Sequence, residues 1–228
     1  MNMSNPQRSL EQAGVMFFGK VSASISHEIK NVLAIMAESA GLIEDLCLLN
    51  LKRGAVLDVE RLQSLSGRIL KQVGRADEIV KNMNRFAHSV DEMASTIDLQ
   101  EHIQLLMALS RRLAAMREVT IDSVPGERQI TLTTSPFLLL CLLWSCLDFA
   151  MSVCGGDKRI EIRVAEEPQV VSISFSGLQD LTVWPPDIFP ETLEGTPARE
   201  LEARLTGDPE TKAMIVELPK RISREPAI

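Results

Sequence analysis

Between residues 12 and 92 the apolar side chains recur at steps of three, four and seven, a period that suits helices packing along one stripe and little else. The first run is Val21, Ile25, Ile29, Val32, Met36, Ile43 and Leu46. The second run, Leu62, Ser66, Ile69, Val73, Ala76, Val80, Met83, Ala87 and Val90, keeps an almost unbroken alternation of four- and three-residue steps, a heptad-like seam. Between them Asn50-Leu51-Lys52-Arg53-Gly54 supplies the asparagine and glycine of a helix end and a sharp reversal. The spacing predicts a long helical hairpin. Two helices cannot bury such a seam alone, so pairing of two copies into a four-helix bundle is the expected solution, and the chain is expected to be a homodimer.

A hairpin does not use up 228 residues, and the remainder is enough for a second core of ordinary domain size. Helical periodicity lapses from Asp91 to Ile97, where Ser95-Thr96 begins something new, so we divide the chain into 1–94 and 95–228. In the second part Leu99 to Met116 reads as an amphipathic helix, and Val119 to Val124 and Gln129 to Thr133 as strands either side of Pro125-Gly126. Pro136 to Val153 reads as the central buried helix, with Ser135 as N-cap and Pro136 in the first turn. Arg159 to Ala165 and Gln169 to Phe175 alternate as paired strands, Ala198 to Leu205 is a short helix, and Lys212 to Leu218 is a last strand. The fold class is α+β: a helical hairpin followed by a reduced α/β sandwich.

Cys47, Cys141, Cys146 and Cys154 lie in mostly apolar surroundings without metal-ligand spacing, which points to reduced thiols in a cytoplasmic protein and to no metal site. No stretch approaches the roughly 18 apolar residues that span a bilayer, and Pro136 to Val153 carries Ser145 and Asp148. A net charge of −7 and the absence of tyrosine argue against nucleic acid, since phosphates need clustered Lys and Arg and bases need stacking rings. The expected partner is another protein.

One segment of the hairpin reads as chemistry. His27 falls between Ile25 and Ile29, and two residues on a helix are about 200° of rotation, so the imidazole points away from the stripe. Ser24, Lys30, Asn31 and Ala34 share its face at three-, four- and seven-residue offsets. A lone histidine is most often a tolerated surface residue. The run His27-Glu28-Ile29-Lys30-Asn31, however, resembles the phosphoacceptor box of two-component sensor histidine kinases: a histidine, an acid next to it, a basic residue, and Thr or Asn four positions on. The proline common after that box is Val32 here, so the helix lacks the usual bend.

The order of elements after the hairpin resembles the ATP-binding domain of the same kinases, but the nucleotide motifs depart from it. The family's magnesium-binding asparagine, in a pattern like Asn-Leu-Leu-x-Asn-Ala, would fall at Phe149 of Ser145-Cys146-Leu147-Asp148-Phe149-Ala150, which offers no ligand oxygen. Where the family has Asp-x-Gly-x-Gly the chain reads Phe175-Ser176-Gly177-Leu178-Gln179. The phosphate loop is reduced to Glu194-Gly195-Thr196-Pro197-Ala198-Arg199, with a proline where backbone N–H groups would cradle phosphate. The resemblance therefore implies a degenerate, non-ATP-binding sandwich and no cofactor of the chain's own, magnesium being expected only in a partner receiver domain.

It further implies a histidine phosphotransferase: His27 would take phosphate from the aspartyl phosphate of one response-regulator receiver and pass it to another, with a sensor kinase as a further candidate partner. Glu28 resembles the acid that orients the histidine and takes its proton, or is a plain surface glutamate. Lys30 could soften the charge of phosphohistidine. Asn31 occupies the position that orients water in receiver phosphatases, or is simple surface polarity. By the family's geometry a receiver would dock on Ala34, Ile35, Glu38 and Leu42 with Leu65 and Arg68 of the second helix. A non-catalytic adaptor using the same surface is the alternative, and an active ATP-dependent kinase a more distant one. His88 and His102 have no such box; His88 suits the carboxyl end of its helix.

Overall fold

The computed structural model describes residues 6–54, 56–124, 126, 128–179, 196–208 and 210–222. Two long helices come first, α1 (Pro6–Arg53) and α2 (Val59–His88). The reversal between them is where the Asn and Gly placed it: Gly54 has φ +60, and its N–H donates to the Asn50 carbonyl at 3.0 Å, the left-handed exit that a β-carbon disfavours. Asp58 then starts α2, its Oδ1 accepting from the Arg61 N–H at 2.9 Å.

By its contacts the chain divides into Ser22–Asn84 and a second unit built from the residues up to Val21 together with Arg85–Ile228. The division thus runs through both helices rather than at 94/95. The first unit is the hairpin's middle. Its fully or partly buried positions include Ile25, Glu28, Val32, Ile35, Ser39, Leu42 and Leu46 on α1, and Leu62, Leu65, Ile69, Gln72, Ala76, Ile79 and Met83 on α2. Each set keeps three- and four-residue steps. On α2 the seam expected through Ser66, Val73 and Val80 is displaced by one residue: Leu65, Gln72 and Ile79 are buried, whereas Val73 and Val80 are 47% and 49% exposed. The cause is chemical. Glu28, Ser39 and Gln72 occupy inner positions, so a trace that follows apolar residues steps sideways onto the neighbouring stripe. Ser39 is accommodated because its Oγ donates to the Ile35 carbonyl one turn back, at 2.8 Å.

In the second unit, β1 (Ser95–Asp98) leads into α3 (Leu99–Met116), followed by β2 (Thr120–Ser123), β3 (Thr131–Thr134), α4 (Pro136–Ser152), β4 (Arg159–Glu166), β5 (Val170–Ser176), α5 (Pro197–Glu200), β6 (Arg204–Asp208) and β7 (Ala213–Pro219). The main sheet has the order β2-β4-β5-β7-β6, all antiparallel except the parallel pair β2 and β4. β1 and β3 form a separate antiparallel pair, Ile97 opposite Leu132. The strands either side of Pro125-Gly126 therefore do not pair with each other. Of the expected helix Ala198–Leu205 only Pro197–Glu200 forms, because Glu202 takes φ +52 and Arg204–Asp208 enters the sheet beside β7.

One sheet face carries the core: Ile160, Ile162, Val171, Ile173, Phe175, Met214, Val216 and Leu218 are at most 1% exposed. Helix α4 is buried at nearly every position, as its apolar sequence requires. Ser135 precedes it in extended conformation, but its side chain makes no cap hydrogen bond; the side-chain cap is on α3, where Asp98 Oδ1 accepts from the Glu101 N–H at 3.1 Å. Aromatic rings close this unit. Phe86 is fully buried, edge-on to Phe17 at 5.3 Å between centroids, stacked on Phe18 at 5.4 Å and 6.3 Å from Phe137, while Phe17 also lies 5.5 Å from Trp144. Among the described residues no helix is long and apolar enough to cross a membrane.

Candidate functional site

His27 stands exposed on α1, on the rim of the inner seam. A helix turns 100° per residue, so Asn31, Ala34 and Glu38 lie within about 40° of the same line, and all three are exposed. Lys30 is exposed one turn on. Glu28 is not beside the imidazole: it turns into the seam, 8% exposed, and its Oε2 lies 3.7 Å from Nη2 of Arg75 on α2. Adjacent helix positions diverge by 100°, which is why histidine and acid part company here.

A second cross-helix pair lies further along. Arg68 Nη2 donates to Glu38 Oε2 at 3.2 Å, both side chains well exposed, an interaction of a few tenths of a kcal/mol that marks which flanks face one another rather than holding them together. The flank carrying His27, Asn31, Ala34 and Glu38 thus faces the flank of α2 carrying Arg68. Ile35 and Leu42 are half-buried beside it. Leu65 is buried in the seam, so it supports this surface from beneath rather than lining it. The residues that sequence reasoning passed over are Arg75 and Gln72. Arg75 had a signal, since it repeats Arg68 at a heptad interval; a buried Gln72 among apolar positions had none.

The nucleotide-motif positions lie on the second unit. Phe149 is 8% exposed. The neighbouring Asp148 is engaged within the fold: its carboxylate accepts from Arg117 Nη2 at 2.6 Å, its carbonyl accepts from Arg117 Nη1 at 2.7 Å, and Lys20 Nζ is 3.9 Å away. Gly177 has φ +90, and a β-carbon there would sit 2.2 Å from the Arg159 carbonyl oxygen, so the close approach of the β4 backbone demands glycine. Glu194 and Gly195 lie outside the described residues, while Thr196 caps α5 by accepting from the Arg199 N–H. Burial pushes the Cys141 thiol up to about 12 and that of Cys146 higher still, so neither is a nucleophile at neutral pH. His88 Nδ1 is 2.7 Å from Asp91 Oδ2, and His102 Nδ1 lies 3.2 Å from the Asp98 carbonyl, its ring held below the usual range chiefly by burial. Among the described residues no three His, Cys, Asp or Glu side chains gather as metal ligands.

No family model matches the chain, and no curated protein matches it. Among solved structures it is similar to the catalytic domain of histidine kinase ThkA, at 15% identity and a TM-score of 0.46 over 56% of this chain and 97% of that one. It is also similar to the histidine kinase AdeS of Acinetobacter baumannii, at 12% identity and 0.42 over 85% and 96%. A third similar structure is ThkA in complex with the response regulator protein TrrA, at 14% identity and 0.43 over 94% of this chain and 65% of that one.

Proposed function

We propose that this chain is a dimeric histidine phosphotransferase of a two-component phosphorelay, passing phosphate between response-regulator receiver domains through His27. The observation that carries the reading is an exposed imidazole on an uninterrupted helix, in a box that resembles a phosphoacceptor, with Asn31, Ala34 and the Glu38 to Arg68 pair laid out on one flank beyond it. The step is an in-line displacement. The ring nitrogen that bears a lone pair forms the N–P bond, the P–O bond to the receiver's aspartate breaks with its electrons returning to the carboxylate, and the other ring nitrogen keeps its proton. Positioning supplies most of the catalysis, so this protein needs only a nucleophile and a docking surface, with magnesium held by the receiver.

Two features support the details. Ile29, Leu33, Met36, Ala40, Ile43 and Cys47 on α1, with Val73 and Val80 on α2, form a second apolar stripe that one hairpin leaves partly or wholly exposed, as expected if a second copy completes a four-helix bundle. Engagement of Asp148 by Arg117 and the aromatic side chain at 149 support a sandwich that does not use ATP as donor. The test is transfer from a panel of phosphorylated receivers to the full chain, beside His27→Ala and ATP alone. Label on the wild type only is the expected result. Loss of receiver label without capture would make Asn31 part of a phosphatase site, and binding with neither would leave an adaptor.

A further inference from the structure

We infer that Arg75 is a further catalytic residue of this site, the cation that leaves Glu28 to take the charge of the phosphoryl group on His27; this rests on the phosphotransfer reading above. The helices of the hairpin run antiparallel, so a step of seven along α2, from Arg68 to Arg75, moves toward the start of α1. The two ion pairs record that progression, Arg68 with Glu38 and then Arg75 with Glu28. Residues seven apart share a flank, so Arg75 lies on the flank that faces His27, at the level of His27's own turn.

Its present bonding is incomplete. The distance to Glu28 is 3.7 Å, beyond hydrogen-bond length, and the buried Nε has no hydrogen-bond partner. One turn away the buried Gln72 Oε1 is also without a partner. A guanidinium carries five N–H donors in a rigid fork that matches phosphate oxygens, so a partner offering one distant carboxylate oxygen leaves most of that capacity unused. Its side chain is 40% exposed, so solvent and a ligand can reach it. A phosphoryl group on His27 would bring up to two negative charges to the turn that also carries Glu28, and a cation there offsets the added charge. Glu28 in this arrangement parks the arginine in the resting state.

Two measurements test this on the full chain. First, 15N-labelled protein is phosphorylated with phosphoramidate, and the Nε–H signal of Arg75 is followed, assigned by its loss in Arg75→Lys. A shift that tracks phosphorylation of His27 is expected, and an unmoved signal at full phosphorylation overturns the assignment. Second, transfer from a phosphorylated receiver is timed over a range of receiver concentrations. Arg75→Gln should lower the rate at saturation roughly a hundredfold, the lower end of what removing one donor from developing charge costs, with half-saturation unchanged and with partial rescue in Arg75→Lys. A saturating rate like that of the wild type in folded Arg75→Gln overturns the role of Arg75 alone. Failure of the wild type to accept phosphate at His27 from either donor removes the phosphotransfer reading and this inference with it.

Discussion

Replacing Phe86 with alanine removes the ring around which one end of the second unit is organised. Phe86 is fully buried and meets Phe17 edge-on, Phe18 face-on and Phe137 at a tilt. A buried Phe→Ala change costs about 3–5 kcal/mol, a range that already contains ring contacts worth about 0.5–1.5 kcal/mol each, so the expected loss is about 4 kcal/mol. At roughly 2–4 °C per kcal/mol for a chain of this size the midpoint falls by about 8–16 °C. Unfolding in urea followed by Trp144 fluorescence, in a Trp184→Phe background, measures it directly, because Trp144 sits 5.5 Å from Phe17 in the same cluster. Phe18→Ala, at a ring 43% exposed, is the control and should cost about 1 kcal/mol. A loss under about 1 kcal/mol for Phe86→Ala would mean that the rings do not pack as described.

Gly177→Ala should destabilise by about 2 kcal/mol or more in the same urea experiment, because the β-carbon meets a backbone oxygen and positive φ is disfavoured together. His102 binds a proton less readily folded than unfolded, so its contribution is present above the unfolded value of 6.5 and is lost as pH falls below it; melting curves from pH 8 to pH 5 should show that loss, and His102→Gln should flatten it. Val73→Glu with Val80→Glu should leave helicity intact yet give a monomer by light scattering, and an unchanged dimer mass would place the interface elsewhere.

The extents of α3 and α4 were legible almost to the residue, since each is a sustained periodic or apolar run between clear punctuation at Asp98 and Pro136. β1 and β6 were not. Ser95–Asp98 and Arg204–Asp208 are short and polar, and they are strands only because β3 and β7 offer them a ladder. On α2 the seam positions Leu62, Ile69, Ala76 and Met83 were read correctly, but the alternating set was read one residue out at Ser66, Val73 and Val80, because apolar spacing alone cannot separate a stripe buried within one hairpin from a stripe beside it. At the site, the exposure of His27 followed from spacing on α1 alone. The phase of the same helix also puts Glu28 inside, three residues after Ile25 and four before Val32, but its partner Arg75, forty-seven positions away and across a helix pair, could not be read from it.

Phe17 and Phe86 find Phe137 and Trp144 only after most of the chain has been made. On the ribosome the hairpin's local contacts can close early, while the rings at its open end wait, uncovered, for α4 to emerge. A fragment cut at the apparent boundary near residue 94 would keep those rings exposed for good. Such a piece would be sticky for reasons unrelated to its own stability, and a cleanly behaved hairpin should instead begin after Phe18 and stop before Phe86.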